Sequence, residues 1–393
     1  MPKDDIATRY SDRDSPAVTV IGAGPAGLAC AIVLARAGRR VLIREAHDRV
    51  GGRFHGDFQG LENWSSEEDV LDGLAAHGIM PRFDHHPVRA GVAFDAWGDR
   101  YRVASDRPIY YLVRRGSETG TLDRGLLAQA LELGVDVRFG DRAQRADGPA
   151  ILAGGPRVAD AIAVGYVFDT DMADGNWIAF DDALAPLGYS YLLVHAGRGT
   201  VAACMFSGFK QEAEYVARTV EMFRERVGLS MRNAKPFGGF ANFRLPRRAI
   251  QGGHLVVGEQ AGFQDALAGF GMRYAMESGV LAARSLIEGL SYPALWRRNL
   301  LPRIRASVTN RMAFELAGAR GRRWVLSRRL AKGDVRDGLR RIYRASLVSA
   351  FLFPIAHWRY RKRLKDPSCD HVDCSCVWCR CGGARAGLQV QPG

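Results

Sequence analysis

No stretch of the 393 residues approaches the ~20 consecutive apolar residues of a spanning helix, so no membrane span is expected. Residues 1–16 are polar and charged and lack an apolar h-region, so no secretory leader is read and a cytoplasmic site is the default. Cysteine is scarce in the body of the chain. Of seven in all, five fall in the last 25 residues, and Cys30 and Cys204 read as small core residues. A chain of this length can bury a core without a disulfide framework. Internal repeats of 20–50 residues are absent, which excludes solenoids and propellers. The body also lacks an excess of positive charge. The net charge is +13, yet from Arg297 to Asp366 twenty Lys/Arg stand against four Asp/Glu, so the remainder is slightly acidic. No nucleic-acid-binding fold accompanies that basic segment, and nucleic acid is not expected as a partner.

What is present begins at residue 17. Ala17 to Ile21 read as a short strand, Ala26 to Ala37 as an apolar helix ended by Gly38, and Val41 to Glu45 as the next strand. Between strand and helix lies Gly22-Ala23-Gly24-Pro25-Ala26-Gly27. Gly22 permits the tight turn, Gly24 lets backbone approach a pyrophosphate, and Gly27 allows close helix–strand packing. The helix start at Ala26 offers free N–H groups to phosphate. Glu45 ends the second strand, placed to accept hydrogen bonds from the ribose hydroxyls of an adenosine. With strand, helix and acid all in place, the unit predicts dinucleotide binding.

The segment from Glu45 through Gly51, Gly52 and Arg53 resembles the stretch just after the Rossmann acid in many flavoproteins, amine oxidases among them. That resemblance implies FAD, with Gly52 and Arg53 beside its pyrophosphate. Far downstream, Val256 to Phe263 precede Gly269-Phe270-Gly271-Met272 and a helix rich in small residues. This stretch looks like the second FAD signature of the geranylgeranyl reductase family, and more loosely of the p-hydroxybenzoate hydroxylase group. The resemblance implies that Glu259, in place of the usual Asp, lies near the ribityl chain with Gly262. It also implies that Gly269, Gly271 and Met272 bring a helix N-terminus to the flavin. Arg114-Arg115-Gly116 before Thr121-Leu122-Asp123 resembles the family's Arg…Asp-x-x-Leu step. Arg115 is taken as the flavin-side residue, with Arg114 the alternative. Gly188-Tyr189-Ser190-Tyr191 resembles the reductases' Gly-Tyr-x-Trp element, with Tyr191 in place of Trp. The Asp-Gly middle motif of hydroxylases is not recognisable, which counts against an aromatic hydroxylase.

The expected architecture is α/β: a Rossmann-type FAD-binding domain with an inserted antiparallel β-sheet substrate domain and a C-terminal helical region. The expected bounds are 17–160 and 246–292 for the FAD domain, 161–245 for the substrate sheet, 293–366 for a basic helical region and 367–393 for a Cys-rich tail. Residues 47–110 read as less regular. Flavin carries the redox chemistry itself, so the protein owes the reaction a proton donor near the substrate. His55 and Tyr189 are the candidates, with water as the other source. His55, Asp57 and Glu62 either line the site or form a well-bonded loop. The resemblance implies reduction of C=C bonds in an isoprenoid or other lipid. Monooxygenation or dehydrogenation of another apolar substrate, or a non-redox isoprenoid cyclase using reduced flavin, are the alternatives. No second nucleotide motif is visible, so NAD(P)H and an electron-donor protein both remain open as reductant. Cys369, Cys374, Cys376, Cys379 and Cys381 are crowded enough to supply the four ligands of zinc or an iron–sulfur cluster, or else form a redox-active or unliganded tail. Arg340 to Lys365 flank an apolar stretch, Leu347 to Ile355, with basic residues. This fits an interfacial segment on anionic lipid, or an amphipathic helix packed on the enzyme.

Overall fold

A computed structural model describes residues 17–143, 148, 150–156, 159–243 and 248–361. The chain opens with β1 (Val18–Ile21), α1 (Pro25–Arg36) and β2 (Val41–Arg44). There follow β3 (Phe58–Glu62), α2 (Val70–Ala76), β4 (His85–Val88), β5 (Ala90–Asp95), β6 (Arg100–Ala104) and β7 (Tyr110–Arg114). Next come α3 (Leu122–Glu132), β8 (Asp136–Arg138), β9 (Ala150–Leu152), β10 (Ala161–Asp169), β11 (Gly175–Phe180), β12 (Tyr189–His195) and β13 (Arg198–Met205). α4 (Glu212–Val227), β14 (Arg232–Ala241), β15 (Ile250–Gln251) and β16 (His254–Val256) lead into α5 (Met272–Glu288) and α6 (Tyr292–Asn299). The last described elements are α7 (Leu301–Val325), α8 (Val335–Tyr343) and α9 (Leu347–Arg361).

The first sheet runs β15-β16-β9-β1-β2-β8, parallel except for β15. β1 sits inside it and is β-branched at Val18, Thr19, Val20 and Ile21, which suits a strand covered on both faces. α1 packs on this sheet through Leu28, Ile32 and Leu34, all fully buried. Each such side chain contributes roughly 1.5–3 kcal/mol of transfer free energy. Thr121 caps α3 by accepting from the Arg124 N–H. β16 lies beside β9 in this sheet, so residues some 240 positions apart share one layer.

The second sheet runs β14-β10-β13-β12-β11-β5-β6. It is antiparallel except for the β11–β5 pair. α4 covers one face, burying Val216, Val220 and Phe223. Period-two alternation then divides β12: Leu192 and Val194 join the α4-side core, whereas Tyr189, Tyr191 and Leu193 line a cavity on the other face. Residues 17–160, expected as the first part of the FAD domain, also contribute strands to the second sheet. β5 and β6, drawn from the region read as irregular, extend the second sheet, because β5 pairs in register with β11 (Trp177 opposite Val92). Residues 47–110 also supply β3 and β4, which pair with β7 in a small sheet of order β3-β7-β4.

α1 and α5 approach closely because glycine stands where they meet. A Cβ on Gly279 would lie 2.2 Å from the Ala26 carbonyl oxygen, and on the strand side of α1 one on Gly27 would lie 2.1 Å from the Gly22 carbonyl oxygen. Both obstacles are backbone and cannot swing away. Gly279→Ala is therefore expected to lower stability by about 1–3 kcal/mol, read as a lower urea midpoint of the flavin-free protein.

Candidate functional site

The three sheets and the C-terminal helices line one large cavity of about 880 Å³, within the range typical of small-molecule and cofactor sites. One end is built from glycine turns. Gly22, Gly24 and Ala26 come from the β1–α1 joint, and Gly258, Glu259, Gly269, Gly271 and Met272 from the approach to α5. Neither α1 nor α5 has a side-chain cap at its N-terminus, so both present first-turn N–H groups to the same cavity. Gly24 has an ordinary φ of −76°, and a Cβ there would meet nothing within 4 Å. That open space lies where a pyrophosphate needs to approach backbone. The Gln264 Oε1, beside Gly271, is buried here without a partner among the described residues, as is the Trp64 indole N–H at the α8 side of the same cavity. An acceptor and a donor are thus left for a ligand to supply. These features fit FAD.

Glu45 is buried at the end of β2. Its Oε2 accepts from the Ala23 N–H at 2.7 Å and its Oε1 from the His47 N–H at 2.9 Å. The carboxylate therefore holds the glycine turn closed while lining the cavity. Arg53 and Glu259, 206 positions apart, form an ion pair of 3.2 Å at the cavity wall. Gly52 lines the same wall. Arg115 is buried, pairs with both oxygens of Asp123 at 2.8 Å, and lies 4.0 Å over the Phe54 ring. Arg114 instead makes partly exposed pairs with Asp84 and Glu118 and does not line the cavity. The structure thereby settles which arginine faces the site. Their partners decide it: the buried Asp123 holds the Arg115 guanidinium at the cavity, while Asp84 and Glu118 hold that of Arg114 away from it.

Several sequence candidates do not reach the cavity. His55 is exposed and absent from the lining. Asp57, two residues on, is buried there instead and accepts from the His55 N–H and from Gln59. Burial pushes its carboxyl up, against the pull of those donors and of Arg115. Glu62 belongs to the loop: it accepts from Trp64 N–H, Ser65 N–H and Ser65 Oγ, and sits 3.7 Å from Arg273. Gly262 closes a turn in the left-handed region (φ 82°) behind the wall, and Gly27 serves the α1 packing. The Cys369–Cys381 cluster lies outside the described residues.

The other end of the cavity is apolar, and sequence reading missed most of it. Asn310, Ala313, Phe314 and Ala317 project from one face of α7, and Val335, Leu339, Ile342 and Tyr343 from one face of α8. The signal was the three-to-four-residue spacing hidden within the basic segment. Tyr189 and Tyr191 stand between the two ends. The Tyr189 hydroxyl donates to the Ala268 carbonyl oxygen, which commits its proton to the wall. The Tyr191 hydroxyl takes no hydrogen-bond partner among the described residues. Burial, with Asp57 and Cys204 adding to it, holds the Tyr191 phenol well above its usual range and hence protonated.

Residues 20–86 match the family model of the NAD(P)-binding Rossmann-like domain. A geranylgeranyl bacteriochlorophyll reductase-like protein of Thermoplasma acidophilum has a similar structure: TM-score 0.66, 16% identity, with 88% of this chain and 98% of that one covered. The flavin-dependent brominase Bmp2 is similar with a TM-score of 0.60 and 16% identity, over 88% and 99% of the two chains. The L-amino-acid oxidase of Bungarus fasciatus is 55% identical over 47 residues, 12% of this chain and 9% of that one. The chain spans 3–34% of the length of the curated relatives it matches. At these identities the likeness is one of fold. The fold is the α/β fold of FAD-dependent oxidoreductases, a Rossmann-like part joined to an antiparallel sheet and C-terminal helices.

Gly24→Ala separates folding from cofactor binding, since its methyl group enters open space. The variant is expected to keep the wild-type urea midpoint without flavin. Its FAD affinity should fall about tenfold or more in a fluorescence titration, because the methyl occupies the pyrophosphate approach.

Proposed function

We propose that this chain is an FAD-dependent oxidoreductase that reduces a C=C bond of an apolar, lipid-like substrate, an isoprenoid being the leading class. The observation that carries this reading is the single cavity, with a glycine cradle at one end and apolar faces of α7 and α8 at the other. Gly22, Gly24, Glu45 and Arg53 would hold the adenosine and pyrophosphate half. Arg115, Glu259, Gly269, Gly271 and Met272 would hold the flavin half. When bound and reduced, FAD supplies the hydride that one carbon of the double bond receives. The other carbon needs a proton, and Tyr191 is the group on this chain best able to give it. Its O–H is held protonated by burial, faces the cavity and is uncommitted. Tyr189 positions the Ala268 turn rather than giving up its proton. Ala313, Phe314, Leu339 and Ile342 would exclude water from an apolar chain. An external reductant, a nicotinamide or a reduced electron-donor protein, is needed to recharge the flavin.

Oxygen insertion is the second reading, favoured by the similarity of fold to pqsL, a probable FAD-dependent monooxygenase from Pseudomonas aeruginosa. Product mass separates the readings. Flavin reduced chemically without oxygen, mixed with an isoprenoid lipid, should yield a product heavier by two hydrogens per reduced bond. A product that gains an oxygen atom, and only in air, would support the monooxygenase. An unchanged mass with a new ring would support a cyclase. Tyr191→Phe should bind FAD normally and slow single-turnover reduction by about 100-fold, with the loss carried in kcat rather than KM. Unaltered turnover would leave water as the proton source.

A further inference from the structure

We infer that α9 is a docking surface for an anionic lipid membrane. The helix packs on α7 with one face. Ala356 is buried, Leu352, Phe353 and Tyr360 are partly buried, the Ser349 carbonyl accepts from Thr309, and Arg359 pairs with Glu315 at 3.2 Å. The opposite face is the one that water should claim, and a surface helix ordinarily makes it polar. Here Leu347, Phe351, Ile355 and Trp358 recur at spacings of four, four and three and so share that outer face. They are exposed: Leu347 at 91%, Phe351 at 80%, Trp358 at 60% and Ile355 at 54%, with Val348 beside them at 67%. The stripe has no polar interruption, and contiguous apolar surface of this kind marks an interaction site.

Charge selects the partner. No Asp or Glu occurs between Gly338 and Lys365, a span that holds eight Lys/Arg. Arg341 and Arg344 are exposed just before the helix, whereas Arg340 is occupied by Glu67 and Asp337. Arg361, Lys362, Arg363 and Lys365 follow the stripe in sequence. An apolar face beside the exposed Arg341 and Arg344, in a stretch of sequence rich in Lys/Arg and free of Asp/Glu, suits a helix lying in the plane of an anionic bilayer surface, apolar side chains among the acyl chains and cations at the headgroups. Trp358 near the C-terminal end fits the headgroup boundary. No described helix is long and apolar enough to cross a membrane. A second copy would fit less well, since pairing two such stripes brings two basic clusters together. The surface stands apart from the flavin chemistry, because docking requires no turnover.

Vesicle flotation of the full-length protein tests it. Phosphatidylcholine vesicles containing phosphatidylglycerol should carry the protein upward, phosphatidylcholine alone should not, and high salt should release it. The double substitution Phe351→Asp and Ile355→Asp should weaken binding about tenfold or more with an unchanged melting temperature, because both side chains face outward. Arg341→Gln with Arg344→Gln should weaken it as well and make the remainder less salt-sensitive. Wild-type protein left at the bottom with anionic vesicles would overturn the inference. So would either double variant floating like wild type, which also decides the matter if the aspartate variant melts early. A lipid-free dimer abolished by the aspartate substitutions would assign the stripe to a second copy instead.

Discussion

The close approach of α1 and α5 is the constraint on which the rest depends. Ala26 sits at the first turn of α1 and is boxed by backbone and glycine on several sides. A Cβ on Gly279 would strike its carbonyl, and a Cβ on Gly258 would come 2.9 Å from its own Cβ. Gly22 meets the Ala153 carbonyl oxygen at 2.4 Å by the same measure and has φ 108°, which only glycine takes without strain. These contacts lock the N-terminal βαβ unit to segments far along the chain. They also aim two uncapped helix N-termini at one cavity. Any side chain added at these positions would part the helices and separate the two halves of the site.

Charge is handled inside the molecule by pairing. Arg115 with Asp123 is a buried ion pair, and Arg273 and Arg303 share the part-buried Glu277. Against the burial that pushes it up, Glu277 is drawn down to about 2 by Arg303 and Arg273. Pairs like these add little net stability, yet removing one partner leaves a buried charge unsatisfied. They hold the loops around the cavity in one arrangement. Arg53 with Glu259 is the looser, part-exposed pair, set at the cofactor end where a ligand phosphate could compete for the guanidinium.

The two ends of the cavity divide the labour between recognition and exclusion. The glycine end offers backbone N–H groups and the unpartnered Gln264 Oε1, which suit a polar ligand. The α7–α8 end offers Phe314, Leu339 and Ile342, which repel water from whatever lies against them. Gly318 breaks α7 with φ 57° and ψ −167°, just past the cavity-lining Ala317. The helix therefore changes direction there, and Arg322, Val325 and Leu326 beyond the break continue the cavity wall.

The sequence by itself determined the nucleotide-binding unit, because local rules suffice there. Gly22, Gly24, Gly27 and Glu45 have meaning through spacing alone, and each takes the position the spacing implies. The second motif around Gly269–Met272 was legible through its resemblance to a flavin signature, together with the small-residue helix that follows it. Tertiary structure alone decided what depends on which face of a strand or helix looks inward. It chose Arg115 over Arg114, brought Asp57 to the cavity and left His55 in water. It tied Tyr189 to Ala268 while leaving Tyr191 free, although the two residues share one face of β12. It also recruited β5 and β6 from residues with no strong local signature, because a strand in that sheet is defined by its partner. And it turned one face of the basic segment inward as cavity wall while leaving Leu347, Phe351 and Ile355 outside. Composition could not separate those roles, since burial is a property of packing and not of residue type.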